Sequence, residues 1–434
     1  MNRRTLLCGI DRVRASRVLP VAVFVLAVFA ASCGDKLEAG AACPLLCPTP
    51  AAQLKDTLVE AVIIDSSLAG FPRIGQESQL LLAKRGDTLE TRVIIRFDTL
   101  SRTYSHTSTP ADSIITTVDS ARLQMVIDTT TLPGTPGKPA APVTIELYDV
   151  DAATDTVAAE LLPLFTSARL LGSRTFEPES LKDTIRVPVS NDAVLDRVTR
   201  GARLRIGLRL VSSTSTQLRI FPSGTNGARL QFKPAADTTL TYSPISLTPT
   251  DSTQAALKNS LTDFVILAQG LPPLPPNTIG AGGFPARRTY MRFDLPTSVV
   301  DSSTVVRASL ILTQSPRRGS PSANDSIAIY PVPITAGTAL TDVNRLITFA
   351  TTVAGTDSAR LVPSDTGERR VELVNLVRLW QNTKPDQTQR AIVIRIASEG
   401  LNPAEIVFFS SRAAPSLRPR LQLTYVPRVT FGLP

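Results

Sequence analysis

One histidine and one tryptophan in 434 residues, with aromatics held to 5% of the chain, remove several kinds of chemistry at once. Nucleophilic triads generally take their base from histidine, and the single one, His106, sits in the Ser/Thr-rich "SRTYSHTSTP", where it reads as a solvated loop residue. No G-x-S-x-G elbow, H-E-x-x-H pair or glycine-rich phosphate loop following a strand is present. "TIGAGGFP" (278–285) is glycine-rich, but it precedes a strand rather than opening a helix and reads as a loop. A glycosidase needs two carboxylates facing each other across a cleft, and no Asp or Glu sits in a recognisable glycosidase sequence setting. Asp149, Asp151 and Asp155 of "DVDAATD" lack the glycine and distal glutamate of a calcium loop, so a turn with solvated acids is expected. Four cysteines with one histidine do not make a zinc site. No metal, cofactor or catalytic residue is expected. Without a Lys/Arg run or a basic patch interleaved with aromatics, no nucleic-acid partner is expected either.

The formal charge of +9 is uneven: five arginines and Asp11 place +4 of it in the first 32 residues. After that basic start, "VLPVAVFVLAVFAAS" (18–32) is an apolar run of about fifteen residues. At ~1.5 Å per residue it falls short of a ~30 Å hydrocarbon core and suits a signal-peptide core instead. "AASCGD" follows and resembles the lipobox of bacterial lipoproteins, which implies cleavage before Cys33 and lipidation of that cysteine. Acyl chains contributing ~0.8 kcal/mol per buried methylene would hold the protein to a membrane without a spanning helix. Gly34 after the cysteine implies the outer membrane by the enterobacterial sorting rule, facing either the periplasm or the surface. The alternative is ordinary signal cleavage near "EAGAA", which would release the protein.

Residues 1–32 are thus the signal peptide, and 33–56, rich in Ala and Pro, a tether. Within the tether Cys43 and Cys47 of "CPLLC" could close a local disulfide in an oxidising envelope. Across the chain 34 Pro and 23 Gly, most of them beyond the tether, punctuate short segments rich in Val, Thr and Ser, the composition of an all-β protein. The segments repeat. "RVIIRFDTL" (92–100), "SARLQMVI" (120–127), "VTIELYDV" (143–150), "ARLRIGLRLVS" (202–212), "QLRIFPS" (217–223) and "ARLQFKP" (228–234) recur in the same order as "TYMRFDLP" (289–296), "VRASLILT" (306–313), "DSIAIYPV" (325–332), "AIVIRIAS" (391–398), "EIVFFSS" (405–411) and "PRLQLTYVP" (419–427). Each alternates apolar with polar residues, the period of a strand with one buried face. Two tandem antiparallel β-sandwiches of jelly-roll type are expected, over 57–233 and 261–428. A Pro/Thr/Ser-rich linker (234–260), in which "TLTYSPISL" could add an edge strand, joins them, and a short tail (429–434) follows. One amphipathic helix is expected at "VELVNLVRLW" (371–380), with "VPVSNDAVLDRV" (187–198) as its counterpart. Trp380 lies on the apolar side of the former, the place of a core residue rather than a sugar platform.

Arg96-Phe97-Asp98 and Arg292-Phe293-Asp294 occupy equivalent places in the two blocks. The phenylalanines should point into equivalent cores, while each arginine and aspartate share the outward face and form a surface ion pair worth about 0 to 1 kcal/mol. The order of an "RFDL" strand, an "A-x-L-x-L" strand, a "VxxLVxxW" segment and a closing "FxSS…RPRLxxTY" resembles the DNRLRE-type domain, a group of secreted bacterial β-sandwich modules that includes carbohydrate-binding members. Arg292, Phe293, Asp294, Trp380, Ser410, Ser411, Arg418, Pro419, Leu421 and Tyr425 carry the resemblance in the second block; Arg96, Phe97 and Asp98 carry it in the first. It implies a non-catalytic envelope protein whose partners are a membrane, through the lipid, and weakly bound polysaccharide. The alternative is an adhesive or protein-interaction role, with a polysaccharide-degrading enzyme as the competing class.

Overall fold

The computed structural model describes residues 54–98, 100–105, 112–130, 139–151, 157–222, 225–244, 262–320, 324–351, 357–383 and 388–428. Cys33, Cys43, Cys47, His106, Asp155 and the signal peptide lie outside the described residues, as does most of the linker. The chain is all-β. Its first half runs β1 (Lys55–Val59), β2 (Val62–Phe71), β3 (Leu80–Arg85), β4 (Leu89–Phe97), β5 (Thr103–Ser105), β6 (Asp112–Ile114), β7 (Val118–Val126), β8 (Val143–Asp149), β9 (Leu170–Phe176), β10 (Thr184–Pro188), β11 (Leu204–Val211), β12 (Thr216–Ile220) and β13 (Arg229–Pro234). The second half runs β14 (Asp263–Gln269), β15 (Thr278–Gly282), β16 (Ala286–Phe293), β17 (Ser303–Ser315), β18 (Ile327–Pro333), β19 (Ala359–Leu361), β20 (Gly367–Glu372), β21 (Ala391–Ile396), β22 (Glu405–Phe409) and β23 (Arg420–Pro427).

Two sandwiches form, each around its own core. In the first, the sheet β10-β7-β13 faces the sheet β12-β3-β4-β11-β8-β9, to which β14 adds along β4. Between them lie Phe97, Leu123, Met125, Ile145, Leu208 and Phe232, all fully buried. In the second, β1-β23-β17 with β20 covers β22-β15-β16-β21-β18-β19 with β2, the two layers touching where the end of β17 meets β22. Met291, Phe293, Leu310, Ile394 and Leu421 fill that interior. The period of two accounts for both cores, since alternate residues of each strand turn inward.

The strands do not sort by the blocks 57–233 and 261–428. β1 and β2, the first strands of the chain, belong to the second sandwich: β1 pairs with β23 and β2 with β16. β14, which follows the linker, belongs to the first and pairs with β4. The two exchanged strands sit in the same register. Asp65 stands opposite Met291, and Asp263 opposite Ile95, the residue equivalent to Met291 in the repeat. Both pairings also slip at the same place, where Phe71 meets Ala286 and Gln269 meets Glu90. Within the segment read as linker, Tyr242 makes an isolated bridge to Phe232 of β13, and the end of "TLTYSPISL" lies outside the described residues.

The two expected amphipathic helices form, at Asn191–Arg200 and Val374–Gln381, while the short helices Ala158–Leu161, Thr297–Val300 and Val343–Leu346 were not expected. Asn191–Arg200 starts at Ser190, whose hydroxyl accepts from the Ala193 amide, and stops at Gly201, whose φ of 60° suits glycine. Val374–Gln381 turns Leu376, Val377 and Trp380 inward. Trp380 is 1% exposed and its ring packs 5.5 Å from that of Phe293. "TIGAGGFP", expected as a loop, contains strand β15 instead. Its glycines answer to crowding: a Cβ on Gly282 would lie 2.4 Å from the Ala404 carbonyl, at a φ of +90° that other residues avoid.

Candidate functional site

The two Arg-Phe-Asp copies share a backbone and differ in environment. Phe97 and Phe293 both point into their cores. Arg96, expected on a solvated face, is 0% exposed, and its Nε and Nη2 both reach Asp98 Oδ2 at 3.0 Å. The reason is a second, outer core: Ile94, Tyr148, Val150, Leu161, Phe264 and Ile266 cover the outside of this sheet. Arg205, opposite Arg96 on β11, is equally buried, with its guanidinium 5.4 Å from the Phe264 ring centre. In the second copy Arg292 is half-buried and Asp294 exposed, with the Asp294 amide donating to the Ala61 carbonyl at 2.8 Å. The first pair is therefore a buried ion pair and not a surface one; the motif marks strand position in both sandwiches.

Asp65 and Asp263, at the same register on the exchanged strands, were not singled out by sequence. Asp65 is 3% exposed; Oδ2 accepts from the Ser411 amide at 2.6 Å and Oδ1 from the Ser411 hydroxyl at 3.0 Å. It ties the first strands of the chain to the "FFSS" turn near the last one. Asp263 accepts from the Thr262 hydroxyl at 2.9 Å. Nearby, Glu77 Oε1 accepts from the Val265 amide at 3.4 Å; burial pushes the Glu77 carboxyl above the ordinary range, and the charge of Asp263 adds to the shift. The sequence does carry an aspartate at the same register in each, Asp65 within β2 and Asp263 at the start of β14, but only the pairing with β16 and β4 gives it meaning.

Where the connections of the exchanged strands pass, the sandwiches meet. Leu81, Ala83 and Leu89 pack with Leu267 and Phe284. Beside them a cleft of about 90 Å³ is lined by Leu267, Arg287, Arg317, Pro403 and Glu405. Glu405, 3% exposed, takes a hydrogen bond from Arg287 Nε at 2.8 Å and one from Arg317 Nε at 2.7 Å. Arg317 also donates to the carbonyls of Pro272 and Pro273, so both arms of the glutamate and the proline-rich connection are tied together. A second cleft, about 120 Å³, is lined by Tyr330, Arg360 and Asn402 among others. Both fall well below the ~300 Å³ at which ligand pockets begin.

Two further charged networks hold strands rather than a ligand. Asp149 and Asp151, expected as solvated turn acids, are half-buried and clamped by arginines. Arg197 reaches Asp149 at 2.8 Å and Asp151 at 3.3 Å, and Arg203 reaches Asp151 at 2.7 Å. Guanidinium groups thus stand where a cation would be held, and among the described residues no cluster of three or more His, Cys, Asp or Glu is disposed to bind a metal. Across the outer face of the first sandwich, Lys84 and Arg92 each reach Glu90 at 2.9 Å, and Tyr148 donates to Glu146 at 2.7 Å. Burial pushes the Glu90 carboxyl up, but the hydrogen bonds from Lys84 and Arg92 outweigh it and hold the group below the ordinary range.

No family model matches the chain, and no curated protein does. Among solved structures, it is similar to the VP2 subviral particle of infectious bursal disease virus at 11% identity, over 87% of this chain and 77% of that one, with a TM-score of 0.13. The Gx strain of the same virus matches at 12% identity, over 87% and 78%, with a TM-score of 0.14. At these scores the likeness carries no argument about fold details or function.

Proposed function

We propose that this chain is a lipid-anchored protein of the bacterial cell envelope, held to the outer membrane through Cys33, in which two β-sandwiches of DNRLRE type act as a non-catalytic binding or structural body. Polysaccharide is the first ligand class to test, and contact with another surface protein the second. The observation that carries the reading is the exchange of strands. β1 and β2, the described strands nearest the tether in sequence, are built into the second sandwich on β23 and β16, so a pull from the N-terminal side would be borne by that sandwich's long-range pairings. The buried Glu405 and the half-buried Asp98 are bound to arginines, which suits a scaffold better than an active site. Among the described residues no helix is long and apolar enough to cross a membrane.

Two measurements test the reading. Radiolabelled palmitate should enter the protein, and Cys33→Ala should move it from the membrane to the soluble fraction; label in neither form would remove the anchor. Residues 54–434 on a glycan array should retain polysaccharides weakly. A blank array would leave the protein-contact reading, and hydrolysis of an arrayed glycan would overturn the non-catalytic one.

A further inference from the structure

The outer face of the sheet β10-β7-β13 is cationic in a way that the equivalent face of the second sandwich is not. Leu123 and Met125 of β7 turn into the core, which turns Arg122 and Gln124 outward. The register sets Arg186 and Arg229 on either side of Gln124, and Gln231 beside Arg122. With strands ~4.8 Å apart, Arg186 and Arg229 stand about 10 Å from each other, with an amide between them. Arg186 donates to Gln124 Oε1 at 3.1 Å and Arg122 to Gln231 Oε1 at 2.8 Å, contacts that orient guanidinium groups without neutralising them. Lys233 adds a fourth cation at the end of β13. The single carboxylate on the three strands, Asp119, is skipped where β7 and β13 slip.

The second sandwich carries the same grid in neutralised form. Arg370 and Arg420 stand on either side of Ile311, as Arg186 and Arg229 flank Gln124. There, however, Glu368 and Glu372 occupy the places of Thr184 and Pro188, and Asp56 of β1 completes the edge. Arg420 pairs with Glu368, and Arg307 lies 3.1 Å from Glu372. Three cations meet three acids on that face, whereas four cations on the first meet none among the outward positions of its strands.

We propose that the outer face of β10-β7-β13 is a docking surface for an anionic lipid headgroup layer. Charge complementarity calls for a polyanion, and the form of the face selects among polyanions. It is a flat three-strand grid of long side chains, without a groove and without an aromatic ring on its outward positions. Single-stranded nucleic acid and sugars gain affinity by stacking on such rings. A headgroup layer needs only a plane of charge, with about 1 kcal/mol gained per basic residue near it. The inference stands apart from lipidation at Cys33, because the face works without an acyl chain.

The test uses residues 34–434, which lack the signal peptide and Cys33 and keep every strand of both cores. Cosedimentation with phosphatidylglycerol/phosphatidylcholine vesicles should be clear at low salt, fall as salt rises, and vanish with phosphatidylcholine alone. Replacing Arg122, Arg186 and Arg229 together by Gln should weaken binding about tenfold or more, and each single replacement about threefold. Arg370→Gln with Arg420→Gln should leave it unchanged, and circular dichroism should show all variants folded. Absence of binding to the anionic vesicles overturns the proposal, as does equal loss in the two sets of variants. Binding to soluble polygalacturonate with none to vesicles would overturn it in favour of an acidic polysaccharide.

Discussion

Asp98 and Asp294 are the same residue of the same repeated motif, yet their replacement should differ in cost. Asp98→Ala removes the carboxylate paired with the fully buried Arg96 guanidinium and should lower stability by about 3 kcal/mol. Asp294 is exposed, and Asp294→Ala should stay within about 0.5 kcal/mol; equal urea midpoints for the two would refute the burial of Arg96. The two perturbed glutamates should act in opposite pH directions. Glu90 is held below its ordinary range, so its stabilisation is present above that range and lost as pH falls through the lowered value. Glu90→Gln should therefore flatten the acid limb of a stability profile taken from about pH 6 to 3. Glu77 is pushed up by burial, so its contribution is complete at low pH and lost as pH rises through the raised value. Glu77→Gln should raise the urea midpoint at pH 7 and change it little at pH 4.

At the scale of elements, periodicity made the repeated strands legible because each has one wet and one dry face. It failed where that contrast vanishes. In β3, "LLLAKR", four successive residues are buried, and in β14 "DFVI" is buried on both faces, so alternation had nothing to report. β15 is hidden for another reason: glycine in sequence signals a loop, whereas here Gly282 admits the Ala404 carbonyl. Gly282→Ala meets both that carbonyl and an unfavourable φ, and should cost about 2 kcal/mol. Gly367→Ala, also at positive φ but with no atom within 4 Å of the added carbon, should cost less; calorimetric melting of the two variants compares them. The pairing of Asp65 with the second sandwich was not legible at all, because alternation assigns a strand a buried face but not a neighbour.

For the whole molecule, the exchange makes the first strands of the chain part of the last sheet. Cutting the exposed connection at Gly75 with an inserted site-specific protease sequence should leave residues 54–75 bound, held by β1 on β23, β2 on β16 and Asp65 on Ser411. The fragment should co-elute with the remainder and separate only in denaturant; its loss in buffer would contradict the pairing. The second sandwich should melt as one unit from β1 to β23, since it is incomplete without β1 and β2, which the first sandwich, contiguous from β3 to β14, separates from its other strands in sequence.

The same crossing sets a timetable for the newborn chain. Ile64 leaves the ribosome 228 residues ahead of Arg292, its partner in the sheet. At roughly 5 to 20 residues per second it waits on the order of 10 to 45 seconds with its edge uncovered. The first sandwich, whose strands lie contiguously from β3 to β14, can close during that interval, while the second depends on an ordered arrival from both ends. Folding of the second sandwich is then paced by long-range pairing, β2 with β16 and later still β1 with β23, and whatever shields residues 54–71 until then guards a step open to aggregation.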